Sequence, residues 1–308
     1  IKELSKVSHG ETKEAVKYWD VFLQNMEKID DKDKSKGTLG YKSGLDDLDL
    51  KLGYFTFGHI DIIGARPAMG KTSLGLNFAL QASLKNNINT LVISAELEAS
   101  ELATQITSIH TSVPIQAMDK AVIEGTDLSA ENWDKLTSKS GEGKKLPLWI
   151  DDQPTTPKQV VNSIREKVIK HKIKVVFIDY IQLIKTYVAS SQHTRASALG
   201  EFAYDLKRLA KELEIHIVCI CQLNRALEGR TDKRPMLSDL KESGDLEQVA
   251  YKCILIYRDE VYNEASEDEG IAELILAKNR RGETGVARVR FYGECTQFQN
   301  LKQESYNE

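Results

Sequence analysis

The sequence predicts an α/β fold: a mostly parallel β-sheet flanked by helices and preceded by a separate N-terminal helix. Two patterns carry that expectation. Short β-branched apolar runs alternate with stretches of helical periodicity, the rhythm of strand–helix–strand units. One such junction also holds a glycine-containing loop, "GARPAMGKTS" (residues 64–73), between a strand and a helix, the context a phosphate-binding loop requires.

Taken in order, residues 11–30, "ETKEAVKYWDVFLQNMEKID", repeat Val16, Trp19, Leu23 and Met26 at three- and four-residue steps. That spacing predicts an amphipathic helix. "DDKDKSKG" follows as a polar linker. A helix on such a tether either packs on its own domain or docks its apolar face on another chain. From about residue 37 the strand candidates are 59–64, 90–94, 146–151, 174–179, 215–220, 252–257 and 272–278. Helix candidates fall near 71–86, 98–110, 157–172 and 196–213. The runs are almost continuously apolar, as strands covered on both faces are. The last ones have short connections and are expected to pair antiparallel. The expected organisation is a linker helix and flexible linker (1–36), one α/β domain (37–302) and a tail (303–308).

Composition narrows the classes. With 41% hydrophobic and 29% charged residues the chain can bury a sizeable core. No run of about 18 apolar residues predicts a membrane span, and no signal peptide opens the chain. The chain starts on Ile1 rather than Met, so residues upstream are expected. Net charge is -4, which excludes a globally basic surface but not a local one. The four cysteines, Cys219, Cys221, Cys253 and Cys295, include no C-x-x-C pair. They read as buried free thiols in a reducing cytosol.

The loop departs from G-x-x-x-x-G-K-[ST] at its first glycine, where Ala65 stands. Residues Ala65, Arg66, Pro67, Ala68, Met69, Gly70, Lys71, Thr72 and Ser73 would cradle phosphate oxygens with backbone N–H groups and a helix N-terminus. Lys71 would reach the β- and γ-phosphates of ATP, and the Thr72 hydroxyl would ligate Mg²⁺. Whether the alanine is strained depends on the sign of φ at Ala65. A metal-side carboxylate is expected at a neighbouring strand end. Asp179 closes the apolar run "VVFID", and an acid there is costly unless it has a partner. Glu96, after "TLVIS", is the candidate base for the attacking water, and Gln222, after "IHIVCIC", could sense the γ-phosphate.

Here the sequence resembles a family. "GARPAMGKTS", "ISAELEASEL", "VVFIDYIQLI", "CQLNRALEGRTDKRPMLSDLKESGDLEQVA", "YRDEVYN" and "ILAKNRRGETG" are similar, in order and spacing, to motifs of the hexameric replicative DNA helicases of the DnaB type. The resemblance covers about residues 37–300 and is most specific over 222–263. It implies a RecA-like core in a homo-hexameric ring around one DNA strand. It assigns Lys71 and Thr72 to phosphate and Mg²⁺, Glu96 to water activation, Asp179 to the metal side and Gln222 to γ-phosphate sensing. It gives Lys278 and Arg280 to a neighbour's ATP, with Arg281 beside them, and spacing favours Arg280 as the finger. DNA contacts are expected from two long polar connections, 185–196 and 225–245. They carry Lys185, Tyr187, Arg195, Arg230, Lys233 and Arg234, and the stretch Lys241-Glu242-Ser243-Gly244 matches the family's backbone grip. Single-stranded DNA, primase and a helicase loader are the implied partners, and the cytoplasm of a bacterial or phage-infected cell is the implied location. The linker helix would pack on the adjacent subunit. A filament-forming strand-exchange protein and a non-enzymatic ATP-gated scaffold share parts of this pattern.

Overall fold

The computed structural model describes residues 15–30, 39–184 and 195–301. Two compact units divide at Leu39 and Gly40. The first contributes helix α1 (Tyr18–Asp30). Its first-turn bond runs from Val21 N–H to Lys17 C=O, so Val16 lies before the helix rather than on its face. Trp19 and Phe22 stack on it with centroids 5.1 Å apart.

The second unit opens with a two-residue strand pair, β1 (Gly40–Tyr41) and β2 (Phe55–Thr56), around helix α2 (Asp46–Leu52). Then come β3 (Ile60–Ala65), α3 (Lys71–Leu84), β4 (Thr90–Ser94) and α4 (Ala99–Thr111). Helices α5 (Ile115–Ile123) and α6 (Ala130–Gly143) lead to β5 (Leu148–Asp151) and α7 (Pro157–His171). Strand β6 (Val175–Asp179), α8 (Arg195–Leu213), β7 (His216–Gln222), the short α9 (Gly244–Val249) and β8 (Lys252–Tyr257) follow. The unit ends with β9 (Ile271–Asn279), β10 (Gly285–Tyr292) and β11 (Gln297–Gln299).

Nine strands form one sheet in the order β11-β10-β9-β8-β3-β7-β6-β4-β5. From β8 to β5 every pair is parallel. β9, β10 and β11 pair antiparallel, as their short connections predict. The apolar runs bury both faces because successive side chains point to opposite sides. In β6, Val175 and Phe177 join one core, whereas Val176 and Ile178 join the other. β7 does the same with Val218 and Ile220 against Ile217, Cys219 and Cys221. All four cysteines are buried and free. Helix α3 lies close on the sheet at Gly75, where an added Cβ would stand 2.5 Å from Ile220 Cδ1. Among the described residues, no helix is long and apolar enough to cross a membrane.

The sheet therefore has two chemically different edges. At the amino ends of the parallel strands lies a buried polar network. His216 bonds Tyr41 Oη through Nδ1 at 2.9 Å and Asp61 Oδ2 through Nε2 at 3.1 Å. Asp61 Oδ1 accepts from the Lys252 amide at 2.8 Å. Both ring nitrogens of His216 and both Asp61 oxygens have a partner, so the network is a brace for the β1–β2 pair. The carboxyl edge carries the reactive groups.

Candidate nucleotide site

β3 runs through Ala65, which lies opposite Gln222 of β7 in parallel register. The alanine is fully buried and belongs to the strand, and it is not among the positive-φ residues. The left-handed turn falls three residues later, at Ala68 (φ 67°), and again at Gly70 (φ 93°), the N-cap of α3. The missing glycine thus costs nothing at Ala65, and the loop places its left-handed turn at Ala68 and Gly70. Met69 is buried beneath the loop, and Pro67 and Ala68 are exposed.

Lys71 opens α3 and gathers the acids. Its Nζ lies 2.7 Å from Glu96 Oε2, 3.6 Å from Asp179 Oδ1 and 3.4 Å from Thr72 Oγ1. It also sits 4.3 Å above the Tyr180 ring, an added attraction for a cation. β4 and β6 are adjacent, with Ser94 opposite Asp179. Glu96 stands two residues past the strand. Ser94 Oγ accepts from the amides of Glu96 and Leu97 at 3.3 and 2.9 Å, a local turn that brings Glu96 back to Lys71.

Asp179 is 1% exposed, and neither carboxylate oxygen has a hydrogen-bond partner. Burial pushes its carboxyl above the ordinary range; Lys71 and the Thr72 hydroxyl pull it back, and Glu96 adds to the rise. A buried acid offset only by Lys71 at 3.6 Å, beside a phosphate-loop threonine, fits a divalent cation. Mg²⁺ in particular is held by one or two carboxylates plus phosphate oxygens. No cluster of three or more His, Cys, Asp or Glu suited to a metal occurs among the described residues, so this would be a shared site completed by substrate.

The raised value has a checkable consequence for stability. The penalty of the ionised form is present above the folded pKa and disappears as pH falls toward the ordinary carboxylate range. Asp179→Asn is therefore expected to raise Tm at pH 7, in chelator and without nucleotide. The gain should vanish near pH 4. A lower Tm at neutral pH for the asparagine variant would contradict the assigned cause.

Two arginines fasten the loop from either side. Arg66 belongs to it by backbone only: its buried guanidinium donates to Leu223 C=O at 2.7 Å and to Glu228 Oε1 at 2.9 and 2.7 Å. Arg258, just past β8, donates to Ala68 C=O at 3.0 Å, pairs with Glu260 and lies 4.0 Å above the Phe291 ring. Sequence reasoning gave Arg258 no role. The available signal was the one that singled out Asp179, a charge closing a buried strand. On the third side, Gln182 brackets the backbone of Gln222, donating to its C=O at 2.9 Å and accepting from its N–H at 3.2 Å.

Lys278 and Arg280 are not part of this cluster. β9 runs antiparallel to β8, so they fall toward the opposite edge of the sheet. Lys278 Nζ donates to Glu247 C=O at 2.5 Å and Arg280 Nη2 to Gln248 C=O at 2.9 Å, on the last turn of α9. Burial and the neighbouring Arg280 lower the Lys278 ammonium.

The expected DNA residues divide. Lys185 and Tyr187 lie outside the described residues, and Arg195 is described only as the start of α8. Lys241, Glu242 and Ser243 close a 3-10 segment (Leu237–Ser243) and Gly244 opens α9, with their side chains outside the description. The neighbouring basic residues are engaged within the chain. Arg230 Nη2 meets Asp239 Oδ2 at 2.5 Å. Arg234 pairs with Glu273 at 2.7 Å, and Lys233 lies 4.8 Å over the Tyr262 ring.

A phosphate loop and two strand-end acids converging on one edge of a parallel sheet, at the point where β3 hands over to β4 across two intervening strands, define a RecA-like nucleotide-binding core. The chain belongs to the DnaB-like helicase C-terminal domain family, which matches residues 40–300. It is 35% identical to the replicative DNA helicase DnaB of Pasteurella multocida over 92% of this chain and 60% of that protein. It is 34% identical to the DnaB of Geobacillus stearothermophilus over 98% of this chain and 65% of that protein. The chain thus spans about 60% of the length of the first of these relatives. Among solved structures, the ATPase domain of G40P superposes with a TM-score of 0.83 at 31% identity, covering 94% of this chain and 100% of that one. A DnaB-like replicative helicase, studied with its interactions with primase, gives 0.82 at 31% identity, over 98% of this chain and 70% of that one.

Proposed function

We propose that this chain is the motor of a ring-shaped, ATP-dependent replicative DNA helicase that moves along single-stranded DNA and separates the duplex at a fork. Its substrates are ATP and DNA, and Mg²⁺ is its metal. Copies of itself in a hexameric ring, a primase and a helicase loader are its partners, in the cytoplasm. The carrying observation is the split of the machinery: Lys71, Thr72, Asp179 and Glu96 meet at one sheet edge, whereas Lys278 and Arg280 lie toward the other. A subunit built that way needs a neighbour to complete its site.

Each residue then has a separate task. Loop amides and Lys71 hold the phosphates. Thr72 and Asp179 would hold Mg²⁺, which would supply charge neutralisation to the phosphates. Glu96 accepts the proton of the attacking water. Lys71 contacts Glu96 directly, so a phosphate oxygen that takes the lysine frees the carboxylate for that proton. Gln222, bracketed by Gln182, reports the phosphate to the following loop. Domain limits of 1–36, 37–302 and 303–308 fit this reading, with α1 as the linker that docks on the adjacent subunit. Backbone groups at Lys241–Gly244, with Arg195 and Arg230, would follow the DNA phosphates, which carry no sequence information.

The test is ATP hydrolysis by the full chain with and without single-stranded DNA, beside unwinding of a forked and a blunt duplex. Stimulated turnover and fork-dependent unwinding are expected. Turnover indifferent to DNA would sink the helicase reading while leaving the nucleotide site standing.

A further inference from the structure

The segment leaving β7 is closed on itself before it reaches the proposed DNA stretch. The Asn224 amide donates to Asp239 C=O at 3.0 Å. The Asp239 carboxylate receives Arg230 at 2.5 Å and the Met236 amide at 2.8 Å through the same oxygen. Leu227 and Leu240 are buried beneath it. Residues 224–239 are thus braced at base and middle and should move as one piece, with Lys241 only two positions further on.

Among the described residues this piece has one charged fastening to the phosphate loop, Arg66 to Glu228. Arg66 places two N–H groups on the piece, both on Glu228 Oε1, and a third on Leu223 C=O just before it. The guanidinium side chain is 7% exposed and its Glu228 partner 46%, so the pair is shielded on the arginine side and open to solvent on the glutamate side. A planar fork bound at two points resists both sliding and rotation. Nothing in phosphate cradling asks for this side chain, because loop amides and Lys71 do that work. Its bonds serve the next segment.

We infer that Arg66 is a positioning residue that couples the phosphate loop to residues 223–239, so that nucleotide binding sets the posture of the braced loop and of the chain that follows it. The DNA consequence rests on the function proposed above; the coupling itself does not. Gln182 complements it from the Asp179 side by gripping Gln222. The end of β7 is therefore held from both strands that face the phosphates.

The experiment follows hydrogen exchange in the full chain with and without a non-hydrolysable ATP analogue. In the unaltered chain the analogue should slow exchange in residues 66–72 and in 224–239. In Glu228→Gln the first effect should persist and the second should shrink roughly fivefold or more, the range of a coupling between sites. Basal ATP turnover of this variant should be unchanged, and its stimulation by single-stranded DNA should fall by a similar factor. Arg66→Lys keeps the charge but not the fork, and should lose the same protection of 224–239. If both variants keep it within twofold, or if the analogue never reaches 224–239 in the unaltered chain, the coupling is overturned. If the unaltered chain is protected yet not stimulated by DNA, the helicase reading fails and the coupling stands.

Discussion

Lys71→Ala is expected to lower ATP turnover by at least roughly 10²–10³-fold and to abolish unwinding. The magnitude follows from removing one preorganised charge from a site where phosphate charge develops. The geometry makes Lys71 hard to replace. Among the described residues it is the only cation within 4 Å of Asp179, and it also holds Glu96 at 2.7 Å. Its loss would therefore remove the proposed phosphate ligand and leave a buried carboxylate without compensation, which itself destabilises. Lys71→Met, which keeps the aliphatic stem, should lose turnover equally while unfolding closer to the unaltered chain. Nucleotide titration alongside turnover separates the two effects. Turnover within tenfold of the unaltered chain, in a folded variant, would remove Lys71 from the chemistry.

What the sequence conveyed follows from what its patterns report. Strands buried on both faces have to be apolar throughout, so β6 and β7 were plain in "VVFID" and "IHIVCIC". In the run "LPLWID" the paired register begins at Leu148, and Pro147, which has no N–H to give, joins only through its C=O, which accepts from the Thr90 amide at 2.9 Å. Helices α5 and α6 were not foreseen: neither has a fully buried residue, and Val122, Ile123 and Trp133 are exposed. Both helices are amphipathic, but they rest on the rim of the domain rather than in its core, so their period reports no core contact. Strands β1 and β2, at two residues each, are too short to carry one.

The site divides along the same line. Asp179 and Glu96 were legible because an acid closing an apolar run is locally anomalous. Arg66 sat in a recognisable loop, yet its partner Glu228 is 162 residues away, and Arg258 meets Ala68 across 190. Such pairings are made by the sheet order, which places β7 and β8 on either side of β3. No local pattern announces them. The alanine at the first glycine position was also ambiguous until the register showed Ala65 inside the strand and the positive φ at Ala68.

The second large effect concerns Arg280. Its amide bonds Tyr251 C=O, and the Tyr251 amide bonds Ile60 C=O, so Arg280 lies level with the start of β3. The phosphate loop begins after Ala65, roughly 17 Å further along the strand at about 3.3 Å per residue. That distance exceeds what the side chain can span, so Arg280 cannot serve its own subunit's phosphates. Arg280→Ala and Glu96→Ala should each lower turnover sharply, by ~10³-fold or more for an arginine acting in trans. Co-assembled at equal ratio, the two should recover activity. In a head-to-tail ring about one quarter of interfaces would pair an intact Glu96 with an intact Arg280 from the next subunit. Two defects confined to one subunit's own site could never complement, since every subunit carries one of them. Recovery toward a quarter of unaltered turnover is therefore the signature of catalysis across the interface, and a mixture as inactive as its components would place the finger elsewhere.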